Sequence, residues 1–442
     1  MKNSFKGGIH PPSSKELTKN INIVDLPASD MVIIPLRQHI GAPLNVCVNV
    51  GDYVKKGQIL GTSDAFVSAP VHSSVSGKVV KIEPHIHPSG VYEQSVFIEN
   101  DHEDNWWEEI KPLGDYKDLS SKEIIDAVRN AGIVGMGGAS FPTHVKLSVP
   151  EGKKAEYLIL NGAECEPYLT SDYRVMLEQP CDVIYGLKSL MKALNLEKGY
   201  IGIEDNKKDA IKLLNEITKD DDSVIIVPLK TKYPQGSEKH LIKSVTGRRV
   251  PSGKLPIDVG AIVVNIDTAV AVYKAIKFGT PLIERIVTVT GNGVNEPKNF
   301  RVKVGTPFSY VLDNAGGLKE NTKKLIMGGP MMGMAQYDLD TPVVKGTSGL
   351  LALTEEECID YEEMPCVKCG KCVDACPMGL MPLFLSSYSK QEDFANLNKY
   401  SIMDCIECGS CSYVCPSNKN PVEHIRLGKA KLRIEKEKGG NK

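Results

Sequence analysis

Eight of the twelve cysteines in this 442-residue chain lie between Cys366 and Pro416, in two copies of one pattern. The first reads CVKCGKCVDACP, with Cys366, Cys369, Cys372 and Cys376 ahead of Pro377. The second reads CIECGSCSYVCP, with Cys405, Cys408, Cys411 and Cys415 ahead of Pro416. Three cysteines at two-residue intervals, then a fourth three residues on, is the spacing that wraps a 4Fe-4S cube. Each iron has one open position, and three thiolates on a tight loop reach three corners while the intervening amides face the sulfides. The fourth corner needs a ligand from elsewhere. In the paired arrangement the last cysteine of each run crosses over. Cys366, Cys369, Cys372 and Cys415 are therefore expected on a first cube, and Cys405, Cys408, Cys411 and Cys376 on a second.

Two other uses of the cysteines are weaker. The four outside the runs are scattered and no secretory signal precedes them, which suits reduced thiols rather than disulfides. Zinc is the better rival, but zinc hooks are usually two pairs and not three cysteines plus one before a proline.

Length implies roughly three or four domains. A net charge of -2 argues against a nucleic-acid binder. The longest apolar stretch, Ala261 to Val272, is interrupted by Asn265 and Asp267, and the N-terminus has no apolar core of a signal or anchor. Membrane attachment is thus expected only through a partner.

Five segments follow from the pattern: an arm (1–28), a β-rich domain (29–110), an α/β domain (115–280), a small α+β unit (281–353) and the cysteine domain (354–442). The arm carries turn signals at Gly7-Gly8 and Pro11-Pro12. Val46, Val48 and Val50 alternate with Cys47 and Asn49, which predicts a half-buried strand. In the α/β domain Ser120-Ser121 cap a helix with Ile124, Ile125 and Val128 on one face, and YLILNGAE and SVIIVPL suit buried strands of a mostly parallel sheet. Met331, Met332 and Met334 read as core filler, and GRRVPSGK (Gly247 to Lys254) as a solvated basic loop. The basic tail after Pro421 reads as a solvated helix.

The second chemical signal is GIVGMGGASFPTHVK, Gly132 to Lys146. Gly135, Gly137 and Gly138 let backbone amides approach a phosphate or flavin, and Lys146 supplies a cation. The spacing is not the dinucleotide fingerprint, because Ser140 occupies the sixth position.

This loop resembles GRGGAGFPTGLK of the flavin- and NADH-binding subunit of respiratory complex I. NGAECEP (Asn161 to Pro167), YPQGSE (Tyr233 to Glu238) and VNIDT (Val264 to Thr268) resemble NADESEP, YICGEE and NNVET of the same family, in the same order. The resemblance implies noncovalent FMN held by Gly135, Gly137, Gly138, Lys146, Asn161, Glu164, Gly236, Glu238, Asn265 and Thr268, with Phe141 and Glu166 contacting NADH. Met136, Ala163, Ser237 and Val264 depart from the family pattern.

Over nearly its whole length the chain resembles the C subunits of Rnf complexes. That likeness implies a lipoyl/biotinyl-like barrel sandwich, here without a carrier lysine between Gly57 and Gly77, a Rossmann-like FMN/NADH domain, a β-grasp (SLBB-like) unit and a ferredoxin-like domain for two 4Fe-4S clusters. It further implies a peripheral protein on the cytoplasmic face of the cell membrane. Such a protein exchanges hydride with NAD(H) at FMN and single electrons with the ferredoxin-like B subunit and membrane subunits of its complex, coupled to Na+ or H+ translocation. A cobalamin-reductase-like protein shares the flavin loops and cysteine runs, and a flavin-free relay scaffold is the non-enzymatic alternative.

Overall fold

The structure, a computed structural model, describes residues 3–359 and 361–439. Asp360 of the acidic run, Met1 and Lys2 of the arm, and the tail beyond 439 lie outside the described residues.

Two antiparallel sheets form the first domain. One has the order Met31–Pro35, Tyr92–Asn100, Gly77–Ile86, Tyr53–Val54, and the other Asn45–Val46, Ile59–Thr62, Val71–His72. Alternating side chains such as Val32, Ile34, Val96 and Ile98 close a shared core. The valine alternation misleads here. Only Val48 is buried, while Val46 and Val50 face solvent, because the strand lasts two residues before the chain turns away.

The α/β domain is built on a wholly parallel sheet of order Val224–Leu229, Gly199–Glu204, Tyr157–Gly162, Ala261–Asn265. Leu158, Leu160, Ile262 and Val264 point to one face, where the helices Pro180–Leu194 and Ile266–Phe278 pack. Ile159 and Val263 point to the other, against Leu241 and Ile242 of the helix Glu238–Thr246. Helices on both faces are what a parallel sheet requires. The SVIIVPL strand lies at the sheet edge and is therefore half-buried. Ser120 forms the expected capping box with Glu123, and Ile124 and Val128 are fully buried.

A six-stranded mixed sheet follows: Ile23–Asp25, Lys298–Lys303, Glu284–Thr290, Gly349–Thr354, Thr322–Met327, Met334–Gln336. Its edge strand, Ile23–Asp25, comes from the N-terminal arm and pairs in parallel with Lys298–Lys303. The methionines are not filler as a group, since Met332 and Met334 are exposed. They occupy a glycine-flanked turn and the short edge strand after it, which present their side chains outward.

The cysteine domain is helical and packs around Leu385, Leu397, Ile402, Ile425 and Leu432. The last two belong to the helix Pro421–Gly439, so the basic tail is not simply solvated. Lys429 is buried, with its ammonium donating to the Cys405 carbonyl at 2.9 Å and pairing with Glu407. No helix among the described residues is long and apolar enough to cross a membrane.

Candidate functional site

The glycine loop lies beside the C-terminal ends of the parallel strands, where open α/β sheets bind ligands. Its base is closed by a hydrogen bond from the Gly135 amide to the Phe141 carbonyl, 2.9 Å. Thr268 Oγ1 accepts from the Met136 amide at 3.1 Å, pinning the loop to the N-terminus of the helix Ile266–Phe278. A Cβ on Gly137 would come within 2.8 Å of Asn265 Nδ2, whereas one on Gly138 would meet nothing within 4 Å. The loop tip, Gly137 to Ala139, is exposed. Gly135 therefore serves the loop itself, Gly137 allows close approach to Asn265, and the amides at the tip are left for a ligand.

Asn161 and Asn265 end adjacent strands. Asn161 Nδ2 donates to the Gly236 carbonyl at 2.8 Å, and Lys146 Nζ donates to Glu238 at 2.9 Å and to the Val263 carbonyl at 3.1 Å. Phe141 is half-buried on the rim. Gly135, Gly137, Gly138, Phe141, Lys146, Asn161, Gly236, Glu238, Asn265 and Thr268 thus surround one face of the sheet end, with an open glycine cradle that fits a flavin nucleotide.

The two acids of NGAECEP make different contacts. Glu164 accepts from the Asp172 amide at 2.7 Å, at the start of the helix Ser171–Glu178, and pairs with Lys15 at 3.4 Å. Glu166 points toward the cysteine domain, accepting from the Tyr233 hydroxyl at 3.3 Å and the Met331 amide at 3.1 Å. Burial pushes its carboxyl up to about 7.

Two further residues escaped the sequence reading. Asp172 accepts from Asn265 Nδ2 at 2.6 Å, and burial, with Glu164 and Asp267 nearby, raises its carboxyl to about 7. Arg285, from the six-stranded sheet, is buried against Met136 and Asp267 beneath the loop. Met136 standing where the complex I family has arginine was the available signal that a cation comes from elsewhere.

The second cysteine run faces a cavity lined by Cys405, Cys408 and Cys411 and also by Cys376 from the first run. Apolar Leu385, Ile406, Val422 and Ile425 complete the wall. Burial pushes the Cys405 thiol up to about 11 and Cys411 up to about 12, so these sulfurs favour the neutral form until iron supplies positive charge. No three His, Cys, Asp or Glu side chains among the described residues converge on a single-ion site. The Tyr233 hydroxyl donates to the Cys408 carbonyl at 2.8 Å, so this cavity abuts the glycine-loop domain.

Comparison with known proteins gives four successive matches. Residues 3–103 match the RnfC barrel sandwich hybrid domain, 128–274 the Nuo51 FMN-binding domain, 286–335 the SLBB domain and 365–419 the 4Fe-4S dicluster domain. An NAD+-reducing NiFe hydrogenase in the air-oxidized state shares the fold with a TM-score of 0.52 at 19% identity, over 71% of this chain and 63% of that one. The C subunit of the proton-translocating ferredoxin:NAD(+) oxidoreductase complex of Clostridium ljungdahlii is 50% identical over 98% of this chain and 95% of its own length. The C subunit of the Na(+)-translocating complex of Acetobacterium woodii is 47% identical over 99% and 98%. The chain belongs to the family of C subunits of ion-translocating ferredoxin:NAD(+) oxidoreductase complexes.

Proposed function

We infer that this chain is the NAD(H)-reacting subunit of an ion-translocating ferredoxin:NAD oxidoreductase. FMN held here would supply two-electron hydride chemistry, and 4Fe-4S cubes would supply one-electron transfer. The chain's own residues hold and space these groups. The glycine tip, Lys146, Asn161, Asn265 and Thr268 seat the flavin nucleotide without a covalent bond. Phe141 borders the side from which NADH approaches. Cys376, Cys405, Cys408 and Cys411 hold the second cube, and Cys366, Cys369, Cys372 and Cys415 the first. Glu166 is better suited to the junction between the flavin pocket and the second cube than to nucleotide contact, since both its oxygens accept hydrogen bonds there.

The observation that carries this reading is the cavity in which three cysteines of one run meet the fourth of the other, placed against the Tyr233 segment of the glycine-loop domain. Full-length similarity to C subunits of this type favours it over a cobalamin-reductase-like protein, and the open glycine cradle favours it over a flavin-free scaffold.

The first domain is a lipoyl/biotinyl-like sandwich that has no carrier lysine, the glycine-loop domain is Rossmann-like, and the unit after it is a β-grasp. The protein sits peripherally on the cytoplasmic face and exchanges electrons through its first cube with the ferredoxin-like B subunit or with a membrane-embedded one. Exposed Cys366, Cys369, Val367 and Met364 suit that contact.

The test is anaerobic reconstitution of the full chain. About eight iron per polypeptide, retained FMN and bleaching of the flavin band by NADH are expected. A protein that takes up only zinc, or no flavin, contradicts the reading.

A further inference from the structure

The N-terminal arm reaches the junction between the second cysteine run and the glycine-loop domain. The Gly8 amide donates to the Ala375 carbonyl at 2.8 Å, one residue before Cys376. Ile9 exchanges both backbone bonds with Tyr233, at 2.8 and 2.9 Å. The side chains of Ile9, Tyr233, Ala375 and Cys408 form one buried cluster. Phe5 packs on His240 with ring centroids 4.5 Å apart, and His240 Nε2 lies 3.1 Å from the Pro377 carbonyl. The arm is thus bonded to both sides of the junction.

Gly7 and Gly8 make the close approach possible. Both have φ of +77°, which side chains on L residues rarely adopt. A Cβ on Gly7 would stand 2.5 Å from the Cys376 carbonyl oxygen, and one on Gly8 would stand 2.5 Å from the Tyr233 carbonyl oxygen. Both obstacles are backbone atoms, which cannot swing aside as the end of a flexible side chain can.

We propose that the arm segment Phe5 to Ile9 positions the second cube: it fixes Cys376 against the Tyr233 segment and closes that side of the cube to water and oxygen. The proposal rests on the crossed ligation inferred above. Cys405, Cys408 and Cys411 share one tight loop and constrain one another. Cys376 comes from the other run, so its place depends on what packs on Ala375 to Pro377. The arm and His240 pack there, beside Tyr233 and Cys408. Hydrogen bonding and solvent exposure around cluster sulfurs set the potential, so the arm acts on the second cube's potential and lifetime without touching the hydride site.

The test uses the full chain, reconstituted anaerobically, with Gly7→Ala, Gly8→Ala and Ile9→Ala compared with wild type. Iron and FMN content, EPR after dithionite reduction, the midpoint potential of each cube and signal lifetime in air are measured. The glycine variants are expected to keep FMN, NADH bleaching and the first-cube signal, while the second-cube signal shifts or disappears and decays faster in air. Ile9→Ala keeps an ordinary backbone and its amide bonds, so it is expected to fold with all its iron and a shifted second-cube signal.

Unchanged second-cube spectrum, potential and lifetime in all three variants would overturn the proposal and leave the hydride-to-cube reading intact. So would joint loss of flavin and both cubes in the glycine variants with Ile9→Ala identical to wild type, because the arm would then act on folding alone. A wild-type chain with no second cube would defeat the underlying reading, and this proposal with it.

Discussion

The two cysteine runs share one sequence pattern and differ in how deeply their leading cysteines are buried. In the first, Cys366 and Cys369 are exposed and Val367 between them is 67% exposed. In the second, Cys408 and Cys411 are buried at 7% and 8% exposure. The second run is packed between the Tyr233 segment and the helix Pro421–Gly439, whereas the first leaves its Cys366 to Cys369 loop exposed and sends Cys376 into the shared cavity. The motif sets which residues ligate, and the packing sets which way each cube faces. On the proposed ligation the second cube would lie in the cavity against the Tyr233 segment and the first at the exposed loop.

Removing a ligand should separate the two runs most strongly. Cys411→Ser and Cys369→Ser each remove a thiolate, and each should reduce the iron bound. Cys411→Ser should also lower thermal stability markedly, because its cube fills a cavity in the core of the junction and cluster binding contributes folding free energy. Cys369→Ser should leave the melting temperature nearly unchanged and NADH reduction of the second cube intact. Calorimetry with iron analysis and EPR checks both, and equal destabilisation of the two variants would contradict the difference in packing.

A pH effect should follow from Glu166, which belongs to the second run's side alone. Its carboxyl is raised to about 7 in the folded chain, so the fold binds this proton more tightly than the unfolded chain does. The stability this contributes is present at low pH and is lost as pH rises from about 4.5 toward 7, by on the order of 3 kcal/mol. Glu166→Gln should flatten that part of the stability profile, and Asp172, also raised to about 7, should supply the slope that remains. Denaturant melts across this range measure it, and an unchanged slope would place the titration elsewhere.

Lys429 sharpens the contrast electrostatically. Its ammonium bonds to the Cys405 carbonyl, and Lys429→Met removes a buried cation beside the second cube. The reduced cube, which carries the extra electron, should lose stabilisation, so the second potential should fall while the first stays fixed. Redox-poised EPR resolves the two. The smallest effect is expected of Tyr233→Phe, which deletes the hydroxyl bonded to the Cys408 carbonyl and Glu166, at a cost of about 1 kcal/mol. It should shift only the second-cube spectrum.

Local pattern made part of this legible. The cysteine runs, the Ser120 cap and the strands of the parallel sheet are written in spacing and periodicity over a few residues. Contacts between distant segments are not. Nothing near Gly7 or Gly8 indicates a backbone approach to Cys376 and Tyr233, and nothing near Ile23 marks it as an edge strand for Lys298–Lys303. Val46 and Val50 show the limit of alternation when a strand stops after two residues. Lys429 looks like one more cation in a basic tail until its partner, Glu407, is brought beside it by the fold. At the site, Gly135, Gly137 and Gly138 stand out as a glycine loop within a few residues, whereas Asn161, Gly236 and Asn265 came only through the resemblance to the complex I flavin subunit. The different fates of Glu164 and Glu166, two residues apart, depend on Lys15 and Met331, which lie far away in sequence.

The order in which the cubes fill decides whether electrons pass from the flavin through the buried cube to the exposed one. The anaerobic chain is mixed with NADH, frozen after milliseconds to seconds, and examined by EPR alongside the flavin absorbance. The flavin band should bleach first, the signal assigned to the buried second cube through Cys411→Ser should appear next, and the exposed first cube should follow. Reduction of the first cube while the second stays oxidised, or a bleached flavin with both cubes still oxidised, would contradict that route.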